Sequence, residues 1–275
     1  MIASRHSHDA KKDLFELPAV SAPPYTTSAV IYDHMMKEVD YRSWAKYLIM
    51  LMALAGKKSR RSEIHGEKLC DYACGTGNIS FIMSRLGYAV TGVDSSEQML
   101  AMAGEKLSRK RKDHPQFLCY DMTSFVSEGK FDRAICVYDS INYVNETASI
   151  GRFFKSVYAS LKPGGVFVFD ASMESNSLGD ASLFVQKGSH KGLQYHRKSE
   201  YDPMRKVHTT YVRVMKDGQV FEEIHREYVY QLATLRELFA RAGFEEKFAA
   251  GDFTMLEANE HSERIHFVLL KGQHD

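Results

Sequence analysis

Asp71, Gly75, Gly77 and Asp94 are residues whose types and spacing suit ligand chemistry. The first three lie in the run Leu69-Cys70-Asp71-Tyr72-Ala73-Cys74-Gly75-Thr76-Gly77-Asn78. Its pattern is a short apolar strand, a sharp turn and the opening of a helix. Gly75 and Gly77 have no Cβ, so a ligand can lie against the backbone there. The helix N-terminus behind them leaves N–H groups free to receive a carboxylate. Asp71, at the strand end, either holds an ammonium group or caps the turn. A ligand carrying both groups is an amino acid. Asp94 closes the next strand, Val90-Thr91-Gly92-Val93-Asp94, 17 residues after Gly77. In Rossmann-type sites an acid roughly 20 residues on takes the ribose hydroxyl pair.

A nucleoside joined to an amino-acid end, such as S-adenosylmethionine (SAM), has every group these residues ask for. A dinucleotide fingerprint needs a third glycine for close helix–strand packing, and Ser80 stands in that place. A nucleotide-dependent dehydrogenase is disfavoured on that ground. A third acid, Asp121 in Tyr120-Asp121-Met122, is placed to accept from an adenine amino group while Met122 packs on the ring. A fourth run, Val137-Tyr138-Asp139-Ser140-Ile141-Asn142-Tyr143, leaves a strand at the C-terminal sheet edge, where open α/β folds bind ligands. Tyr138 is a candidate for lining a reaction channel. His225 is a candidate general base, although with 12 histidines in the chain a packing role competes with it.

The elements that must position these residues follow from periodicity. Residues 1–22 mix charges with small residues, end in Ala22-Pro23-Pro24 and read as a flexible leader. Helices are expected over 28–39 and 41–54, each with an apolar stripe. From residue 68 strands and helices alternate: strands at 68–72, 89–93, 117–120, 131–137 and 166–170, helices at 78–86, 97–109 and 149–161. This pattern implies a parallel sheet wrapped by helices. Residues 171–230 change to β-type alternation with the turn pairs Asp202-Pro203 and Asp217-Gly218, which predicts an antiparallel insert. A helix over 234–242 and strands over 246–250 and 264–270 resume the α/β pattern. The expected division is therefore a leader (1–22), a Rossmann-like domain with a helical cover (23–170 and 231–275), and a β insert (171–230) serving as a lid, substrate or dimer surface.

The chain has 275 residues and a formal net charge of +1, with no overall field favouring nucleic acid. Two basic clusters, 57–61 and 106–112, lack interleaved aromatics and read as solvated surface rather than an RNA interface. Cys70 and Cys74 are followed by no second ligand pair, so no metal is expected. Three of the four cysteines sit within apolar runs that read as strands, which fits free buried thiols and a cytoplasmic setting. No apolar run reaches the ~20 residues a bilayer requires.

Taken together, the Asp71–Gly77 turn, the acids Asp94 and Asp121, the D-S-x-N-Y stretch at 139–143 and the L-K-P-G-G turn at 161–165 resemble class I SAM-dependent methyltransferases, most closely the bacterial small-molecule type. Sugar-amine N,N-dimethyltransferases and glycine N-methyltransferase are of this broad type. The resemblance runs from about residue 25 to the C-terminus, with Ala73 where the family often has glycine. It implies a seven-stranded sheet in the order 3-2-1-4-5-7-6. It implies SAM as cofactor and S-adenosylhomocysteine as product. Cofactor contacts fall on Tyr25, Trp44, Asp71, Ala73, Gly75, Gly77, Asp94, Ser95, Met99, Asp121, Met122 and Tyr138, and Tyr32 and Tyr41 are further aromatics of the helical cover. The implied reaction is methyl transfer to nitrogen or oxygen of a small molecule, in a possible homodimer. The alternatives are an RNA or tRNA methyltransferase, or a SAM-binding scaffold without turnover.

Overall fold

Short apolar runs punctuated by glycine and polar turns give the chain two sheets. The computed structural model describes residues 13–55, 64–107, 114–179 and 184–273. Strand β1 (Val20–Ala22) comes first, followed by helices α1 (Ala29–Met35) and α2 (Tyr41–Leu54). The alternating part is β2 (Lys68–Tyr72), α3 (Asn78–Leu86), β3 (Ala89–Asp94), α4 (Glu97–Glu105), β4 (Gln116–Cys119), β5 (Phe131–Cys136), α5 (Thr147–Ser160) and β6 (Leu161–Ser172). After α6 (Glu174–Leu178) come β7 (Val185–His190), β8 (Leu193–Asp202), β9 (Val207–Lys216) and β10 (Gln219–Tyr228). Helix α7 (Leu232–Arg241), β11 (Glu245–Gly251) and β12 (Arg264–Leu270) close the described chain.

The larger sheet has the order β11-β12-β6-β5-β2-β3-β4. Numbering only its own strands, this is 3-2-1-4-5-7-6. Strands β2 to β6 pair in parallel, and β12 runs antiparallel to both β6 and β11. Both faces are covered, so alternate residues of one strand enter different cores. In β6, Phe167 and Phe169 join Phe153 and Phe154 of α5. Val166 and Val168 face the other way, toward Leu48 and Leu51 of α2 and Met83 of α3. The helix ends have local causes. Asp40 caps α2 by accepting from the N–H groups of Arg42 and Ser43, and Gly87 ends α3 in the left-handed region (φ 116°).

The second sheet has the order β1-β10-β9-β8-β7. On β9 the set His208, Thr210, Val212 and Val214 is buried. Val212, Val214 and Tyr195 pack on Ile31 and Met35 of α1, so this sheet rests against the N-terminal cover.

The flexible leader expected to residue 22 is corrected for residues 13–22. Leu14 is buried, and β1 extends the second sheet by pairing in parallel with β10. Asp13 and the Leu14 N–H both meet Nδ1 of His196, and Arg213 donates to the carbonyls of Leu14 and Leu17. These partners lie more than 180 residues away, beyond the reach of local composition. Residues 1–12, with His6 and His8, and the basic runs at 57–61 and 109–112 lie outside the described residues. Cys119 is exposed rather than buried. Among the described residues no helix is long and apolar enough to cross a membrane.

Candidate active site

The turn after β2 bends sharply. Ala73, Gly75 and Gly77 all have positive φ, at 54°, 54° and 77°. Gly77 is also a close-approach glycine, since a Cβ there would lie 2.7 Å from the Phe117 ring. As N-cap of α3 it offers no side chain to the first N–H groups of the helix, which stay available to an anion. Asp71 is buried and accepts from Ser80 Oγ at 2.5 Å. Burial pushes its carboxyl up to about 7 against the lowering pull of the Ser80 hydrogen bond, and the charge of Asp94 adds to the rise. Asp94 accepts from the N–H of Gly75 through Oδ2 and of Ser96 through Oδ1, both at 2.8 Å. Each oxygen keeps a lone pair for a further donor. Burial raises this acid too, opposed by those N–H groups.

These residues line a cavity of about 800 Å³. One side carries Asp71, Ala73, Gly75, Asp94, Ser95, Met99, Asp121 and Met122, and the opposite side carries Tyr25, Tyr32, Tyr41 and Trp44. Tyr138 and Tyr143 belong to the same lining. Gly77 and His225 do not reach it. The cover is fastened by Asp33 of α1, which accepts from Thr76 Oγ1 at 2.6 Å and pairs with Lys106 at 2.5 Å. Lys106 thus belongs to the glycine turn, not to a free basic patch.

Behind the cavity the D-S-x-N-Y stretch is held from two directions. Tyr138 and Asp139 adopt left-handed backbone, with φ of 66° and 50°. Asp170 at the end of β6 accepts both their N–H groups, at 2.7 and 3.0 Å. Arg264 pairs with Asp170 and with Asp139. Asp170 is therefore turned toward backbone and Arg264. Asn142 is fully buried and bonds Ser172 in both directions as well as the carbonyl of Tyr228. Tyr143, next in the chain, is thereby aimed at the cavity.

A polar chain leads from the cavity into the second sheet. Tyr25 Oη donates to Tyr143 Oη at 2.6 Å, Tyr143 Oη meets His225 Nδ1 at 3.2 Å, and His225 Nε2 meets Glu223 Oε2 at 3.3 Å. Glu223 is fully buried and also accepts from the N–H groups of Tyr25, Thr27 and Ser28. Burial alone would raise its carboxyl. The hydrogen bonds from His225, Ser28 and Thr27 outweigh that and hold it at about 2. Sequence reasoning missed Asp33, Glu223 and Arg264. Glu223 and His225 stand two apart on a strand, which puts them on one face, and that spacing was the available signal.

Comparison with known proteins fits this arrangement. Residues 69–165 match a family model described as a methyltransferase domain. The protein YqeM of Bacillus subtilis, itself assigned as a methyltransferase with no stated acceptor, is 28% identical over 90% of this chain and 98% of its own. A dTDP-3-amino-3,4,6-trideoxy-α-D-glucopyranose N,N-dimethyltransferase of Streptomyces venezuelae is 26% identical over 81% of this chain and 92% of its own. A SAM-dependent methyltransferase structure from Clostridium acetobutylicum has a TM-score of 0.73 at 24% identity, covering 90% of this chain and 99% of that one. Residues 69–165 are thus similar to a methyltransferase domain, and the chain has the fold of the SAM-dependent methyltransferases.

Proposed function

We propose that the chain transfers the methyl group of SAM to a nitrogen or oxygen of a small molecule, with the acceptor's proton leaving through Tyr143 toward His225. The observation that carries this reading is the junction of the two halves in one cavity. Asp71, Gly75, Asp94 and Asp121 form a set matched to an amino-acid nucleoside, and the Tyr25–Tyr143–His225–Glu223 chain opens onto the same space. Asp71 takes the ammonium group, the glycine turn and α3 the carboxylate, Asp94 the ribose hydroxyls, and Asp121 with Met122 the adenine. SAM supplies an electrophilic methyl on a sulfonium. Tyr25, Tyr32, Tyr41 and Trp44 close over the site, exclude water and present aromatic faces to positive charge. Catalysis rests mainly on holding donor and acceptor in line. Tyr138 shapes this path as a wall, since its hydroxyl faces Met36 Sδ at 4.0 Å. Glu223 orients His225, so the imidazole is placed to receive the proton that Tyr143 relays.

A small amino-sugar or hydroxylated acceptor is favoured by the similarity, over 81% of this chain, to the sugar N,N-dimethyltransferase. The test is transfer of labelled methyl from SAM to a panel of amines and alcohols by wild type and His225→Asn. General-base assistance is typically worth about 10²–10⁴-fold. His225→Asn should therefore lower kcat by at least about a hundredfold and flatten the acidic limb of the pH profile, with S-adenosylhomocysteine affinity retained. An unchanged kcat and profile would remove the relay from the mechanism.

A further inference from the structure

A second cavity of about 490 Å³ lies behind the wall formed by Trp44 and Tyr138. The same two side chains line the first cavity. Its walls are aromatic: Trp44, Tyr47, Tyr138 and Phe253, with Trp44 at centroid distances of 5.1 Å from Tyr138 and 4.9 Å from Phe253. Phe253 is about half exposed at its mouth. The other lining groups are Val39, Asp40, Ser43 and Arg264. Nothing in the methyl-transfer reading uses this space.

The charges select the ligand. The Arg264 guanidinium already stands over the Trp44 and Tyr138 rings, at 5.7 and 5.8 Å. A cationic ligand would meet that charge where it sought the same ring faces. Asp139 and Asp170 sit directly behind Arg264 and neutralise it, so a full anion gains little and is repelled by the surplus carboxylate. Arg264 bonds both acids through Nη1, while its Nε and Nη2 meet no acceptor among the described residues. They remain free to donate to a neutral oxygen. Asp40 is occupied in capping α2. His266, in edge contact with Tyr47 and Phe253 behind the wall, is pushed down to about 3, first by burial and then by the Arg264 charge, and is neutral.

We propose that this second cavity binds a flat, uncharged aromatic ring bearing an oxygen acceptor, stacked against Trp44 and Phe253 with its oxygen toward Arg264. The site rests on this geometry and not on the identity of the methyl acceptor. Because Trp44 is the only tryptophan of the chain and faces both cavities, its emission reports each site.

The test titrates the full-length protein with phenol, benzylamine and benzoate, with and without saturating S-adenosylhomocysteine, following Trp44 emission and calorimetric heat. Ser43→Phe is the blocking variant. Ser43 is exposed on the first turn of α2 and touches only the second cavity, and retained S-adenosylhomocysteine affinity checks that the variant is folded. Phenol should bind saturably in both conditions, at least about tenfold more tightly than benzylamine or benzoate, and binding should vanish in Ser43→Phe. The assignment is overturned by the absence of saturable phenol binding. It is equally overturned by equal binding of the three probes, by competition between phenol and S-adenosylhomocysteine, or by phenol binding that survives in Ser43→Phe. A protein that fails to bind S-adenosylhomocysteine would contradict the proposed function, yet the phenol titration would still decide this site.

Discussion

Asp71 shows how one buried carboxyl ties stability to ligand binding. Its acid is raised to about 7 because the cavity wall removes water from it. The folded chain therefore binds that proton more tightly than the unfolded chain does. Its contribution to stability is greatest below the ordinary carboxylate range and is lost as pH rises through about 7, with a slope of at most about 1.4 kcal/mol per pH unit. A ligand ammonium beside Asp71 reverses this preference and expels the proton. S-adenosylhomocysteine binding near neutral pH is thus expected to release a proton, visible as a calorimetric heat that differs between buffers of different ionisation enthalpy. Asp71→Asn should remove that difference, weaken binding at least about tenfold and make the ligand-free protein more stable above pH 7. Equal heats in both buffers would show that Asp71 is not the ammonium partner. Ala73 carries a second consequence. Its left-handed φ of 54° places Cβ against the following carbonyl at a cost of about 1–2 kcal/mol. Ala73→Gly is predicted to raise stability by about 1 kcal/mol in thermal or denaturant unfolding, and a loss would contradict the strain. At this scale the sequence was informative, because residue type and offset along one strand–turn–helix unit suffice to bring Asp71, Gly75 and Asp94 together.

At the scale of elements, caps made α2 and α3 legible, and both run over the residues expected from their stripes and end signals. The expected helix over 28–39 instead ends at Met35, since the chain must turn at Met36–Val39 before the Asp40 cap. The pairing of β1 with β10 was not legible. Three short residues carry little pattern, and their partners lie about two hundred residues on. The segment between β1 and α1 depends on Glu223, which gathers three of its N–H groups. Glu223 is held at about 2, below its unfolded range, so its stabilisation is present above about pH 4.5 and lost as pH falls toward 2. Glu223→Gln should cost about 3 kcal/mol at neutral pH and flatten the stability profile between those limits. It should also weaken S-adenosylhomocysteine binding, because Tyr25 is no longer fixed over the cavity. A variant with wild-type acid sensitivity would place the pH dependence elsewhere.

For the whole molecule, the site is a meeting of distant parts. Its lining runs from Pro23 to Arg152, and its polar chain ends on β10 of the other sheet. The order of the larger sheet was legible through the resemblance to class I methyltransferases, whereas strand–helix alternation by itself implied only a parallel sheet wrapped by helices. Where the insert sheet docks was not, since alternation reveals that β9 has a buried face but not what covers it. Here α1 covers it, and that contact brings Glu223 and His225 within reach of Tyr143 and Tyr25. The central claim is that the glycine turn and Asp94 together hold an amino-acid nucleoside. Its most direct test is calorimetric titration of wild type and Asp94→Ala with S-adenosylhomocysteine, each protein verified as folded by its thermal transition. One site per chain in the wild type, weakened about tenfold to a hundredfold in Asp94→Ala through loss of charge-assisted hydrogen bonds to the ribose, is the predicted result. A folded wild-type protein that does not bind, or an Asp94→Ala variant that binds undiminished, would contradict it.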